Sequence, residues 1–397
     1  MAAALLVPVI VGFLTYLMVP AQGKSFLAMT LKPTRLIGIS SGGFQTCDLT
    51  SYHTVACWGS NAHGELGTGM TTDSPYPVAV KGISTNVAQV SAGGGYYPGN
   101  YNLSGDYTCA LLSSGTIDCW GSNFAGQLGD GTKKDSSVPV TTVGITKATS
   151  ISTGYSHACA LVSGGSIECW GSNNNGQLGD GTLTSSSVPV AVRGITNALE
   201  ISAGHYSTCA VLRSGRVKCW GNNHFGELGS GPKTESLTPV QVSGITNAAH
   251  ISAGHYQTCA VLSNGRVKCW GKNSAGQLGN GTKKDSVIPV ATVGISNAIA
   301  ISAGHNYTCA LLRGGRVKCW GDNRYGQLGN STTTSNSTPV AVSRITKAVQ
   351  ISAGFSHACA RLSSGAAMCW GLGWWGALGV GTGTNSSTPV RVRVRVV

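Results

Sequence analysis

Short alternating runs, rich in β-branched residues and broken by glycine, fill this chain from residue 36 to the end. Read from Pro189, Pro189-Val-Ala-Val predicts a strand, Gly194-Ile-Thr-Asn a turn, and Leu199-Glu-Ile-Ser-Ala-Gly a second strand ending in small residues. His205-Tyr-Ser is a short connection. Thr208-Cys-Ala-Val-Leu predicts a third strand, Arg213-Ser-Gly a tight turn, and Arg216-Val-Lys-Cys-Trp-Gly a fourth strand. A long Asn/Gly-rich loop then leads to Pro239-Val. No 12-residue window carries a glycine-free helical stripe.

From Trp120 onward the Cys-Trp-Gly unit recurs every 50 residues, through Trp170, Trp220, Trp270, Trp320 and Trp370. Four antiparallel strands per repeat of that length is the signature of a propeller blade. The expected fold class is all-β: a seven-bladed β-propeller of four-stranded antiparallel blades over residues 36–397. Residues 1–23 are read as a signal peptide and 24–35 as a lead-in segment. Seven Pro-Val strand starts occur, the last at Pro389, and the first repeat begins at Leu36 without one. The C-terminal strand is therefore expected to pair into the first blade and close the ring, with Val390, Val392, Val394 and Val396 inward and Arg391, Arg393 and Arg395 outward.

All 14 cysteines fall into pairs at a spacing of ten residues. Cys47 goes with Cys57, Cys109 with Cys119, Cys159 with Cys169, and Cys209 with Cys219. Cys259 goes with Cys269, Cys309 with Cys319, and Cys359 with Cys369. With a three-residue turn at Arg213-Ser214-Gly215, Cys209 faces Cys219 across a hairpin. Directly opposed residues stand ~4.5 Å apart at a non-hydrogen-bonded site, within reach of a disulfide. Seven intrablade disulfides are expected, against the alternative of 14 buried thiols. No CxxC or Cys/His cluster of zinc-ligand spacing occurs.

The repeats resemble the regulator-of-chromosome-condensation repeat family of seven-bladed propellers. The carriers are Trp170-Gly-Ser-Asn-Asn-Asn-Gly-Gln-Leu-Gly-Asp-Gly-Thr, Pro189-Val, Ile201-Ser-Ala-Gly and Cys209-Ala-Val-Leu, with counterparts in each repeat. The resemblance implies the fold. It leaves function open, because the family includes a nuclear exchange factor, a plant UV-B photoreceptor and secreted β-lactamase inhibitors. The cysteine pairs, and the apolar stretch from Ala2 to Val19 followed by Ala21-Gln-Gly, place the chain with secreted, disulfide-containing, bacterial members. An uncleaved N-terminal membrane anchor is the alternative reading of that stretch.

Charged residues make up 10% of the chain, with a net charge of +13. Arg216 with Lys218, Arg266 with Lys268, and Arg316 with Lys318 read first as a solvated strand face. Export disfavours nucleic acid as a partner. The chain shows no nucleophile–base pair, phosphate loop or carboxylate dyad, so no catalysis, cofactor or metal is expected. For His205, His255 and His305, loop packing is favoured over a central metal site, since no carboxylate accompanies them.

Candidate binding residues come from the positions where the repeats disagree. Strand parity puts two variable loops on one face. These contribute His205, Tyr206, Tyr256 and Phe355 from one loop, and His224, Phe225, Arg324, Tyr325, Trp374 and Trp375 from the other. Blade two adds an insertion: 15 residues separate Gly93 from Cys109 where other blades have four. Its Tyr96, Tyr97 and Tyr101 resemble the composition of adaptable binding loops. The expectation is a secreted, monomeric, non-catalytic protein-binding propeller for an extracellular or cell-surface protein, with inhibition of an extracellular enzyme within its scope. The alternatives are a carbohydrate or cell-surface adhesion module and a GTPase exchange-factor-like regulator.

Overall fold

Small residues at the ends of the first strands of each repeat let seven sheets meet around one axis. The computed structural model describes residues 35–83, 86–95 and 105–393. Seven four-stranded antiparallel sheets follow in chain order, over residues 36–79, 87–141, 148–191, 198–241, 248–291, 298–341 and 348–391. In the fourth blade the strands are Ala198–Ala203, Ser207–Leu212, Val217–Gly221 and Ser236–Gln241. The second strand is buried at every position, because it lies between the inner strand and the core of the blade. Gly215, at φ 74°, makes the tight turn that sets the register, and Cys209 stands opposite Cys219.

The same register recurs in every blade, and all seven expected disulfides form. Cys47 is bonded to Cys57, Cys109 to Cys119, Cys159 to Cys169, and Cys209 to Cys219. Cys259 is bonded to Cys269, Cys309 to Cys319, and Cys359 to Cys369. The paired Cα atoms are 4.0 to 4.1 Å apart, closer than the ~4.5 Å expected of an unbridged pair. No free cysteine remains, so the alternative of 14 buried thiols falls away.

Each repeated tryptophan packs back onto the preceding blade. Trp220 is fully buried, and its indole N–H donates to Gln177 O at 2.9 Å. Around the axis, a serine of one blade accepts a backbone N–H from the next at all seven interfaces, at 2.8 to 3.2 Å.

Ring closure differs from the sequence expectation. The Pro-Val strand ends a blade instead of starting one: Val190 pairs with Cys169 of the same sheet. A cyclic repeat looks the same in any phase, so periodicity cannot say which strand comes first. Blade one has its own outer strand, Ser74–Ala79, and the final strand, Ser386–Arg391, completes blade seven opposite Cys369. Blade seven then meets blade one as any other pair does. Ser41 N–H donates to Ser352 Oγ at 2.8 Å, Phe355 N–H to Gly42 O at 3.0 Å, and Trp58 Nε1 to Ala377 O at 2.9 Å. Val392 is buried and Val390 packs against the same cluster, while Arg391 is exposed. Val394, Arg395 and Val396 lie outside the described residues, as do the expected signal peptide at 1–23 and nearly all of the lead-in.

Removing residues 386–397 is expected to cost at least about 2–4 kcal/mol, from the burial of Val392 and the partial burial of Val390. The thermal midpoint should fall accordingly. An unchanged midpoint would show that blade seven does not need its outer strand.

Candidate binding face

Glycine at the end of each inner strand brings the blades close enough to share a mouth. A Cβ on Gly204 would lie 2.6 Å from Gly254 O, and the next residue, His205, donates its N–H to that same carbonyl at 3.1 Å. The following side chains form an arc over the axis. Ring centroids are 4.1 Å apart for Tyr155–His205, 3.8 Å for His205–His255, 4.1 Å for His255–His305 and 4.2 Å for His305–Phe355. Beneath them lies a cavity of about 230 Å³ lined by the Ser, Ala and Gly ends of the inner strands. Burial holds the His205 and His255 imidazoles well below their usual pKa, and takes His305 to about 3. All three are neutral at pH 7. Among the described residues no group of three or more His, Cys, Asp or Glu is placed to hold a metal ion.

Outside this arc the long loops raise a second set of aromatics. In blade four, Asn223 pins the loop. Its Oδ1 accepts Leu228 N–H at 2.9 Å, and its Nδ2 donates to Pro232 O and Thr234 O at 2.6 and 3.0 Å. His224 and Phe225 are thereby left at the turn's outer edge. Phe225 lies 4.7 Å from His224 and 5.0 Å from Tyr256, and Lys272 Nζ sits 5.0 Å from both the Phe225 and Tyr256 rings. Glu227 accepts the Phe225 N–H at 2.8 Å, and burial raises its pKa to about 7.

In blade seven, Gly373 takes the place of the pinning asparagine, and the loop winds into a 3-10 turn, Trp374–Gly376. Trp375 adopts φ 54°, a left-handed conformation costly for a bulky residue. The turn packs Trp375 against Phe44 with ring centroids 4.7 Å apart and sets Trp374 5.8 Å from Tyr325. Trp374 remains 38% exposed.

The structure thus gathers Tyr206, His224, Phe225, Tyr256, Tyr325, Phe355, Trp374 and Trp375 on one side of the ring. His205 is only 7% exposed and serves as the floor of that face. Arg324 is tied to Asp322 at 2.9 Å. Tyr96, Tyr97 and Tyr101 lie outside the described residues. The insertion's two ends are packed, with Gly95, Gly105 and Asp106 buried. Two participants escaped the sequence reading. Phe44 is the blade-one counterpart of Tyr206 and was reachable by aligning Ser40-Ser-Gly-Gly-Phe with Ser202-Ala-Gly-His-Tyr. Lys272 stands where other blades have Ser, Asn, Asp or Leu, and only the contact with two rings marks it out.

Comparison with known proteins agrees with this architecture. The RCC1-like domain family matches residues 101–397, and the regulator of chromosome condensation (RCC1) repeat matches 52–96. Human "Probable E3 ubiquitin-protein ligase HERC6" is 38% identical over 104 residues, which are 25% of this chain and 9% of that protein. The Arabidopsis thaliana "Ultraviolet-B receptor UVR8" is 31% identical over 126 residues, 31% of this chain and 26% of that one. These curated relatives therefore share only a small part of their length with the chain. Yeast RCC1 (Prp20), solved with Kap60, superposes with a TM-score of 0.74 at 19% identity over 96% of this chain and 90% of its own. Human WBSCR16 does so with a TM-score of 0.75 at 18% identity, over 86% and 94%. At such identity the likeness concerns the fold alone. With three-quarters of its length matched by one family and seven repeats of one design, the chain belongs to the RCC1-like propeller family, a class of protein-binding and regulatory modules.

Proposed function

We propose that this propeller is a secreted, non-catalytic protein binder that docks a folded extracellular or cell-surface protein on its aromatic face, inhibition of an extracellular enzyme being one form of that role. The observation that carries the reading is the asymmetry of the two sides. Partly exposed aromatics in edge-to-face contact, different from blade to blade, crowd one face, and interface energy concentrates in such residues. A glycan reader built on repeats calls for similar shallow sites on each blade, and the irregular loops favour a protein instead. A GTPase exchange-factor-like role is the alternative that the family resemblance leaves open. It requires a reducing compartment, whereas seven buried disulfides suit an oxidising one. Among the described residues no helix is long and apolar enough to cross a membrane.

The test begins with capture of a partner from the extracellular fraction on the intact domain. The double variant Phe225→Ala with Trp374→Ala should lose at least ~30-fold in affinity at unchanged melting temperature, since buried aromatic anchors are each worth ~2 kcal/mol or more. Replacing residues 96–104 by a short linker should also weaken binding and leave the fold intact. Arg213→Ala with Arg313→Ala, on the other side, should change little. Full binding by the aromatic variant and none by the arginine variant would place the site on the wrong face.

A further inference from the structure

The side opposite the aromatics is formed by the turns between second and third strands and by the passages between blades. On three consecutive blades the same register carries an exposed arginine and, two residues on, a lysine: Arg216 and Lys218, Arg266 and Lys268, Arg316 and Lys318. Each lysine Nζ donates to the carbonyl of a preceding interblade turn at 3.4 Å, to Gly194, Gly244 and Gly294. That bond positions the ammonium without neutralising it. Among the described residues none of the six makes an ion pair; the pairs found are His63–Asp135, His250–Glu200 and Arg324–Asp322.

The opposite charge is kept elsewhere. Asp73, Asp130, Asp135, Asp180, Glu235 and Asp285 all stand in the long loops of the aromatic side. On the basic side, blades two and three carry Asp118 and Glu168 where blades four to six carry their lysines. Glu200 is held by His250 at 3.4 Å. Blades four to six therefore present an arc of recurring arginine and lysine without a carboxylate partner, beside blades two and three, where Asp118 and Glu168 stand with Lys147 and Arg193. Unpaired like charges repel one another and oppose folding, so concentrating them on one arc costs stability that dispersal would have spared.

We infer that the arc of Arg216, Arg266 and Arg316 with their lysines binds a linear polyanion bearing repeated phosphate or sulfate groups. Arginine's planar fork suits such groups, and pre-placed lysines add point charges between the forks. A chain can follow the arc across three blades and avoid Asp118 and Glu168. A flat anionic surface would meet both sectors. This inference is independent of the aromatic face.

The test uses the full disulfide-bonded protein with long-chain polyphosphate, dextran sulfate, uncharged dextran and vesicles containing a fifth phosphatidylglycerol. Polyphosphate or dextran sulfate should bind with strong salt dependence, uncharged dextran should not, and whichever polymer binds tighter names the anion. The triple variant Arg216→Gln, Arg266→Gln and Arg316→Gln should lose at least ~10-fold in affinity at about 0.1 M salt, and its slope of log K against log salt should shrink by about 2, at roughly 0.7 per lost contact. A second triple, Lys133→Gln, Lys134→Gln and Lys284→Gln, removes the same charge from the aromatic side and should keep most of the slope. Equal losses in the two triples would mean that only net charge matters and would overturn the inference. So would absent polymer binding, or vesicle binding that exceeds that of both polymers.

Discussion

The folded protein should resist thiol reductants at neutral pH, and the fully reduced chain should fail to regain its fold. All fourteen cysteines are at most 1% exposed, inside the cores that also hold the tryptophans of the next blade. A reductant thiolate therefore reaches sulfur only through blade opening. Each bridge closes a local loop of ten-residue separation, and removing it releases about 2–3 kcal/mol of chain entropy to the unfolded state. The loops do not overlap in sequence, so their contributions add. Together they reach ~15–20 kcal/mol, against the ~5–15 kcal/mol by which domains are usually stable. Circular dichroism before and after reduction in denaturant, then dilution, checks this. Native spectra and an unchanged melting temperature in the reduced, alkylated protein would show that hydrophobic packing alone holds the ring.

Acid should act late and abruptly. Burial lowers the pKa of five histidines: His157 and His305 to about 3, His357 to about 4, and His205 and His255 well below normal. Each is neutral when folded and protonated when unfolded, so its stabilising effect is whole above pH ~6.5 and shrinks as pH falls toward the folded value. Each costs ~1.4 kcal/mol per pH unit in that window. Four carboxyls run the other way. Burial raises Asp48 and Glu227 to about 7, and raises Glu65 and Asp106 as well, Asp106 with the Glu65 charge adding to its shift. For Asp48 and Glu227, protonated when folded and ionised when unfolded, falling pH favours the fold from about 7 down to ~4, and Glu65 and Asp106 act in the same direction. Between pH ~6.5 and ~4.5 the carboxyls offset part of the histidines' loss, and the melting temperature should fall only slowly. Below pH ~4 the carboxyls are protonated in both states and the histidines stand alone, so stability should drop by several kcal/mol per pH unit. A decline beginning at pH ~6.5 that is as steep as the one below pH ~4 would mean that the buried carboxyls do not oppose the histidines.

The axial histidines also link this behaviour to the binding face. His205 and His255 stand 3.8 Å apart under Tyr206 and Tyr256, so charging them disturbs the floor on which those tyrosines rest. Partner binding should therefore survive to the same pH as the fold.

The hairpins, the seven cysteine pairs and the number of blades were all legible in the chain. They depend on contacts within about ten residues, and a turn of known length converts spacing directly into register, as with Cys209 and Cys219. The outward placement of Phe225, Tyr325 and Trp374 was legible for a related reason: strand parity alone decides which loops share a face. What needed the tertiary structure was everything that passes between blades. Phase was one such matter, since a periodic sequence fits a closed ring equally well from any starting strand. Only the pairing of Val390 with Cys369 gave the last strand to blade seven. The packing of Phe44 against Trp375 and Phe355 was another, because it joins the two ends of the chain across the closure. Local pattern set what each blade is. The small residues at the axis let neighbouring backbones approach, and that approach decided which side chains were buried as floor and which were left as aromatic surface.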